Sequence, residues 1–124
     1  MKFWNERGSV NNIGKLAAFA RKRGDLAQAK SLYACLIGMI KKESGPESEN
    51  LALNFFRLAE TYSDEGNYQA AQTFYRRAAE IWEKTHPDRS ANPIWYSKAI
   101  GEMQREAEQE DVEREEGDSK QGAA

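Results

Sequence analysis

The sequence predicts an all-α protein built from helical repeats. Two stretches of the chain align with each other at a fixed offset, glycine turns recur at the same offset, and the apolar residues have the spacing of amphipathic helices. The chain has 124 residues, and a shift of 42 aligns Leu16-Ala17 with Leu58-Ala59. Such a period is typical of arrays of packed helical units. Further pairs that align at this offset are Gly24 with Gly66, Ala29 with Ala71, Leu32 with Phe74, Tyr33 with Tyr75 and Lys42 with Lys84.

The second unit is predicted to hold two helices joined by a turn at Gly66-Asn67. Glycine readily adopts the left-handed conformation that ends many helices, and asparagine favours turns. The second helix ends before Pro87, since proline disfavours helical geometry in the residue that precedes it. One apolar face of the first helix contains Phe55, Leu58, Ala59 and Tyr62, and that of the second contains Tyr68, Ala71, Phe74, Tyr75, Ala78, Ala79 and Trp82.

The first unit follows the same pattern around Gly24-Asp25 and ends at Ser44-Gly45-Pro46. Four alanines are expected where helices cross closely, because a larger side chain would push them apart. These are Ala17, Ala29, Ala59 and Ala71. The inward residues expected in this unit are Ile13, Leu16, Ala17 and Ala20 in the first helix, then Leu26, Ala29, Leu32, Tyr33, Leu36, Ile37 and Ile40.

The C-terminal part is predicted to add half a unit, a fifth helix with a polar outer face that caps the array. Pro93 suits a first helical turn, and the apolar stripe contains Ile94, Trp95, Ala99, Ile100, Met103 and Ala107. We expect a repeat domain over residues 9–114, preceded by a partly disordered lead at 1–8 and followed by a disordered tail at 115–124. Within it, the first repeat covers about 10–45, the second about 50–86 and the capping half-repeat about 92–114.

These residues resemble the tetratricopeptide repeat family, in which the first (A) helix of a unit carries a large residue, Leu-Ala and Tyr, and the second (B) helix carries Ala, an aromatic residue and Ala. The second unit matches at Phe55, Leu58-Ala59, Tyr62, Ala71, Tyr75 and Ala78, and the first unit matches more loosely. The resemblance implies a right-handed α-solenoid of two and a half helix-turn-helix repeats. The long period, and the loop sequences at 42–47 and 84–88, are similar to the kinesin light chain subtype.

In that family the A helices line a concave groove that receives a peptide or a partner helix, so the resemblance implies a protein-interaction module. Phe56 could be an exposed anchor there, or it could be buried under the fifth helix. Two ligand grips of the family are missing, the Asn-Asn pair and the carboxylate clamp. The positions that usually face the groove hold Asn11, Gly14, Lys15 and Ala18 in the first unit, Leu53, Phe56, Arg57 and Glu60 in the second, and Trp95, Lys98 and Glu102 in the third.

The uneven charge of the chain keeps two other hypotheses open. Formal charge is +7 over residues 1–42, −4 over 43–84 and −5 over 85–124. A basic head and an acidic tail would favour head-to-tail self-association into a homo-oligomer, although such charge also serves solubility. Nucleic-acid binding is less favoured, because the basic cluster Arg21-Lys22-Arg23 is short and the pI is about 5.5.

An enzyme is not expected, and neither are catalytic residues, a cofactor or a metal site. The chain has one His and one Cys, and it contains no phosphate-binding glycine loop, HExxH motif or paired Cys ligands. Cys35 is expected to be buried beside Leu36, and His86 is expected to lie in a surface loop. Without an apolar run of membrane-spanning length or a secretory leader, we expect a cytoplasmic protein with no membrane partner.

Overall fold

A computed structural model describes residues 6–88, 92–105 and 108 of the chain, with side chains from residue 11 onward. The described residues form five helices and no strand. Their bounds are α1 Glu6–Arg23, α2 Leu26–Ser44, α3 Glu49–Asp64, α4 Tyr68–Thr85 and α5 over residues 94–105. α1 therefore begins a little before the expected start of the first repeat. The disorder expected for residues 1–5 of the lead and for the tail at 115–124 lies outside the described residues.

The two turns between A and B helices have the same geometry, 42 residues apart. Gly24 and Gly66 have φ angles of 87° and 85°. After each glycine, the next residue donates its backbone N–H back into the preceding helix, Asp25 to Ala20 and Asn67 to Tyr62, both at 2.9 Å. The side chains of Asp25 and Asn67 then cap the following helix, each accepting from the backbone N–H three residues on.

Replacing the turn glycine should cost stability through the backbone alone. A Cβ atom at Gly66 would meet nothing within 4 Å, so Gly66→Ala should lower the free energy of unfolding by about 1–2 kcal/mol, because a left-handed conformation strains an L-residue. The same change at Gly38, which lies exposed within α2, should raise it by about 0.5–1 kcal/mol. Urea unfolding followed by circular dichroism measures both, and equal effects would contradict this account.

The helices pack in chain order, with α1 against α2, α2 against α3 and α3 against α4. A core of buried α2 and α3 side chains joins the two units. All four alanines expected at helix crossings are fully buried, which confirms that prediction. The chain is thus an all-α helical repeat solenoid, as the sequence predicted. The joining core contains Tyr33, Leu36, Ile37 and Ile40 of α2 and Leu51, Ala52 and Leu58 of α3.

Four apolar residues are exposed where the sequence pattern indicated burial, among them Tyr68 at the start of α4, which is 38% exposed. Leu16 is 56% exposed, whereas its counterpart Leu58 is 4% exposed, because α3 has α2 beside it and α1 has no described helix in the equivalent place. Cys35 is exposed, since it lies off the face of α2 that Leu36 buries. Ile94 is 89% exposed in the first turn of α5, and the neighbouring Tyr96 is buried in its place.

Candidate functional site

A cleft of about 410 Å³ opens between α1 and α3, the A helices of the first two units. It brings together six of the positions that the sequence assigned to a groove, four from the first unit and two from the second. One residue of α2 also reaches it. The lining consists of Asn11, Gly14, Lys15, Ala18, Leu36, Asn50, Leu53, Asn54 and Arg57.

The charge of the cleft comes from two basic side chains, Lys15 of α1 and Arg57 of α3. Lys15 is exposed and Arg57 is half-buried. Within the described part of the chain, neither side chain forms an ion pair. Apolar contact area is supplied by Leu36 and Leu53, so the cleft combines free positive charge with a small apolar surface.

Asn54 adds a buried polar group that the sequence analysis missed. Its side chain is only 5% exposed, and its Nδ2 donates to the backbone oxygen of Asn50 at 2.8 Å. Its Oδ1 accepts no hydrogen bond from the described residues, and a buried acceptor without a donor costs about 1–3 kcal/mol. The available signal was a polar residue on the apolar stripe formed by Leu51 and Leu58.

The third unit does not contribute to the cleft, and Phe56 is not an exposed anchor. Phe56 is 5% exposed, with ring centroids 5.7 Å from Tyr75 and 5.8 Å from Trp95. Small buried residues, Ala59 on α3 and Ala99 on α5, let α5 approach closely at this point. The alternative in which α5 covers Phe56 is therefore correct, and Trp95 serves the same core.

Glu60 joins the three A helices through ion pairs. Its side chain is 11% exposed and lies 3.3 Å from Arg21 Nη1 and 2.8 Å from Lys98 Nζ. Arg21 also donates from Nε to Asp64 at 2.6 Å. Partial burial opposes the charge on Arg21, but the hydrogen bond to Asp64 and the charges of Glu60 and Asp64 outweigh burial and raise its pKa. Glu60 and Lys98 thus neutralise each other instead of presenting free charge.

The basic cluster of α1 is partly neutralised as well. Arg21 pairs with carboxylates of α3, and Arg23 lies 3.6 Å from Asp25. Nearby, Lys30 of α2 lies 2.6 Å from Glu65, and that hydrogen bond raises the pKa of Lys30. These pairs consume positive charge that a phosphate backbone would need.

The imidazole ring of His86 makes contacts within the fold. Its ring stacks on Trp82 with centroids 3.6 Å apart, and its Nε2 lies 2.9 Å from Glu49. Its other ring nitrogen lies 2.9 Å from the Thr85 hydroxyl. No group of three metal-ligating side chains occurs among the residues with described positions. In that same part of the chain, no helix is both long and apolar enough to cross a bilayer.

The remaining groove position, Glu102, lies half-buried on α5, 3.5 Å from Arg105 of the same helix. The eleven positions assigned to the groove therefore divide into two sets. Six of them, Asn11, Gly14, Lys15, Ala18, Leu53 and Arg57, share the cleft. The other five belong to the core or to ion pairs around α5.

Comparison with known families agrees with this architecture. A model of the tetratricopeptide repeat matches residues 7–84 and, in a second overlapping match, residues 53–115. A comparison with curated proteins finds no match. Since the two matches extend over most of the chain, the chain belongs to the tetratricopeptide repeat family.

Proposed function

We propose that this protein is a non-enzymatic scaffold or adaptor that binds a segment of a partner protein in the cleft between α1 and α3. Tetratricopeptide repeats are generally protein-interaction modules, and the family is typically non-enzymatic. The observation that carries the proposal is the lining of this cleft, in which two unpaired cations and the unsatisfied oxygen of Asn54 surround an apolar surface.

The chemistry of the lining suits an extended peptide. Amide side chains of Asn11 and Asn50 can bond its backbone, and a backbone N–H can satisfy Asn54 after a small side-chain adjustment. Leu36 and Leu53 offer contact to an apolar side chain. Because Lys15 and Arg57 are unpaired within the described residues, a carboxylate on the peptide would gain charge-assisted hydrogen bonds.

We also propose a family subtype, domain bounds and a cellular location for this protein. A kinesin light chain-like subtype is supported by the 42-residue spacing of the turns and by B helices of 19 and 18 residues. We place the repeat domain at residues 9–114. A cytoplasmic location is supported by the sparse use of cysteine, with Cys35 alone.

The proposal is tested by selecting peptides from a random phage-displayed library on the full chain and measuring their affinity by fluorescence anisotropy. Lys15→Ala combined with Arg57→Ala should weaken a cleft-binding peptide by about tenfold or more, because a hydrogen bond to a charged group contributes about 1.5–3 kcal/mol net. Leu53→Glu should abolish binding.

The matched control is Lys42→Ala combined with Arg76→Ala, which removes the same two charges from exposed positions outside the cleft. Circular dichroism should show all variants folded. If the selected peptides bind the cleft variants and the control equally well, the cleft is not the binding site.

A further inference from the structure

A second surface lies on the side of α1 where a preceding helix would pack. We name it the outer face of α1 and define it by Leu16, Phe19, Lys22 and Arg23. We propose that the outer face of α1 docks an amphipathic helix of a partner protein, with acidic residues flanking the helix's apolar stripe. The contact reproduces the packing of α2 on α3 with the charges reversed.

The apolar part of this face has a direct counterpart within the chain. At the repeat offset, Leu16 and Phe19 correspond to Leu58 and Thr61 of α3. Leu58 and Thr61 are 4% and 0% exposed, whereas Leu16 and Phe19 are 56% and 60% exposed. α3 lies against α2, and Leu58 shares a core cluster with α2 residues. The equivalent positions on α1 therefore resemble an interface between units, and no described helix covers them.

The charges of the face also have counterparts, and their sign is opposite. Lys22 and Arg23 correspond to Asp64 and Glu65. Asp64 pairs with Arg21 of α1, the preceding A helix, and Glu65 pairs with Lys30 of α2, each at 2.6 Å. A helix that packs on α1 as α2 packs on α3 must therefore bring an acidic residue to Arg23.

The side chains of Lys22 and Arg23 are accessible to such a partner. Both are exposed, and Lys22 makes no ion pair with another described residue. The Arg23 guanidinium lies 5.2 Å from the centre of the Phe19 ring, so charge and apolar surface adjoin. Phe19 is larger than Thr61, which means that the partner helix must carry a small residue opposite it.

A second copy of the chain that presents the same face fits poorly. Two outer faces of α1 packed together would bring Lys22 and Arg23 of both copies into contact, and like charges repel. A helix of a partner protein that carries an apolar stripe with flanking acidic residues satisfies both the apolar and the charged groups of the face.

The experiment uses two synthetic peptides of residues 25–45, the α2 segment, both with Cys35→Ser. One carries Lys30→Glu and the other keeps Lys30. Fluorescence anisotropy with the full chain should show binding of the acidic peptide, about fivefold tighter than the basic one, since an exposed pair and its like-charge alternative differ by roughly 1 kcal/mol. The chain with Arg23→Glu should reverse this preference.

The matched control is Arg76→Glu, which makes the same charge change at an exposed residue of α4 and should keep the preference of the unmodified chain. Phe19→Thr recreates the smaller side chain of α3 and should also keep it. The proposal fails if neither the unmodified chain nor the Phe19→Thr chain binds the acidic peptide, or if Arg23→Glu leaves the preference unchanged. A different set of results would overturn the proposal in favour of a membrane surface. The chain would then sediment with vesicles of equal parts phosphatidylserine and phosphatidylcholine, Leu16→Glu would abolish this sedimentation, and neither peptide would bind.

Discussion

Phe56→Ala should lower the free energy of unfolding by about 3–5 kcal/mol, the range for deleting a buried aromatic side chain. Phe56 is 5% exposed and its ring contacts Tyr75 of α4 and Trp95 of α5. Removing it leaves a void where three helices meet, and α5 loses one of its main contacts with α3. Urea unfolding followed by circular dichroism gives the magnitude, and tryptophan fluorescence should report the altered surroundings of Trp95.

Phe19→Ala is the matched control, because it deletes the same side chain at a position that is 60% exposed. Its effect should stay within about 0.5 kcal/mol, as for most surface substitutions. A similar loss of stability in the two variants would show that Phe56 does not anchor α5 on α3.

Ala59→Leu is expected to have the next largest effect, a loss of about 2–3 kcal/mol, because extra methylene groups cannot enter a packed core without moving its walls. Ala59 is fully buried in a cluster with Phe56, Ala71 and Ala99. A leucine at this point would separate α3 from α4 and from α5. The midpoint of thermal unfolding, with the unfolding enthalpy from calorimetry, measures the loss.

Ala34→Leu provides the comparison, since Ala34 is exposed in the middle of α2 and leucine is also a good helix former. Its unfolding midpoint should remain close to that of the unmodified chain. If Ala59→Leu proved equally mild, the close crossing of α3 would not limit stability.

The sequence was sufficient to predict the helices, their turns and the buried alanines, because each depends on residues close together in the chain. Gly66 and Asn67 determine a turn locally, and Ala59 marks a close crossing through its size alone. The burial of Phe56 could not be predicted from residues close to it in the chain. Two consecutive aromatic residues point in directions about 100° apart on a helix, and only α5, some 40 residues later, decides that Phe56 is covered.

Aligning the chain with itself also fails to predict burial at the end of a repeat array. The alignment treats Leu16 as equivalent to Leu58, yet the burial of each residue depends on a neighbour outside its own helix. Leu58 has α2 beside it, whereas no described helix covers Leu16. Periodicity therefore predicted the face correctly and predicted its burial wrongly.

The sequence predicted the position of the candidate site but not which of its charged residues form ion pairs. Lys15 and Arg57 were assigned to a groove from their place in the repeat, and both line the cleft. Glu60 and Lys98 were assigned by the same rule, yet they are 38 residues apart in sequence and form an ion pair. Only the approach of the helices decides which charges remain available.

The ion pairs of Glu60 have a consequence for how the concave surface responds to a ligand. Because one carboxylate is tied to both Arg21 of α1 and Lys98 of α5, the A helices are braced against one another and the curvature of the array is constrained. Such ion pairs oppose changes in the spacing of α1 and α3, which line the cleft, so less conformational entropy of the receptor would be lost when a ligand binds. Selectivity would then depend more on the shape of the incoming segment than on rearrangement of the receptor.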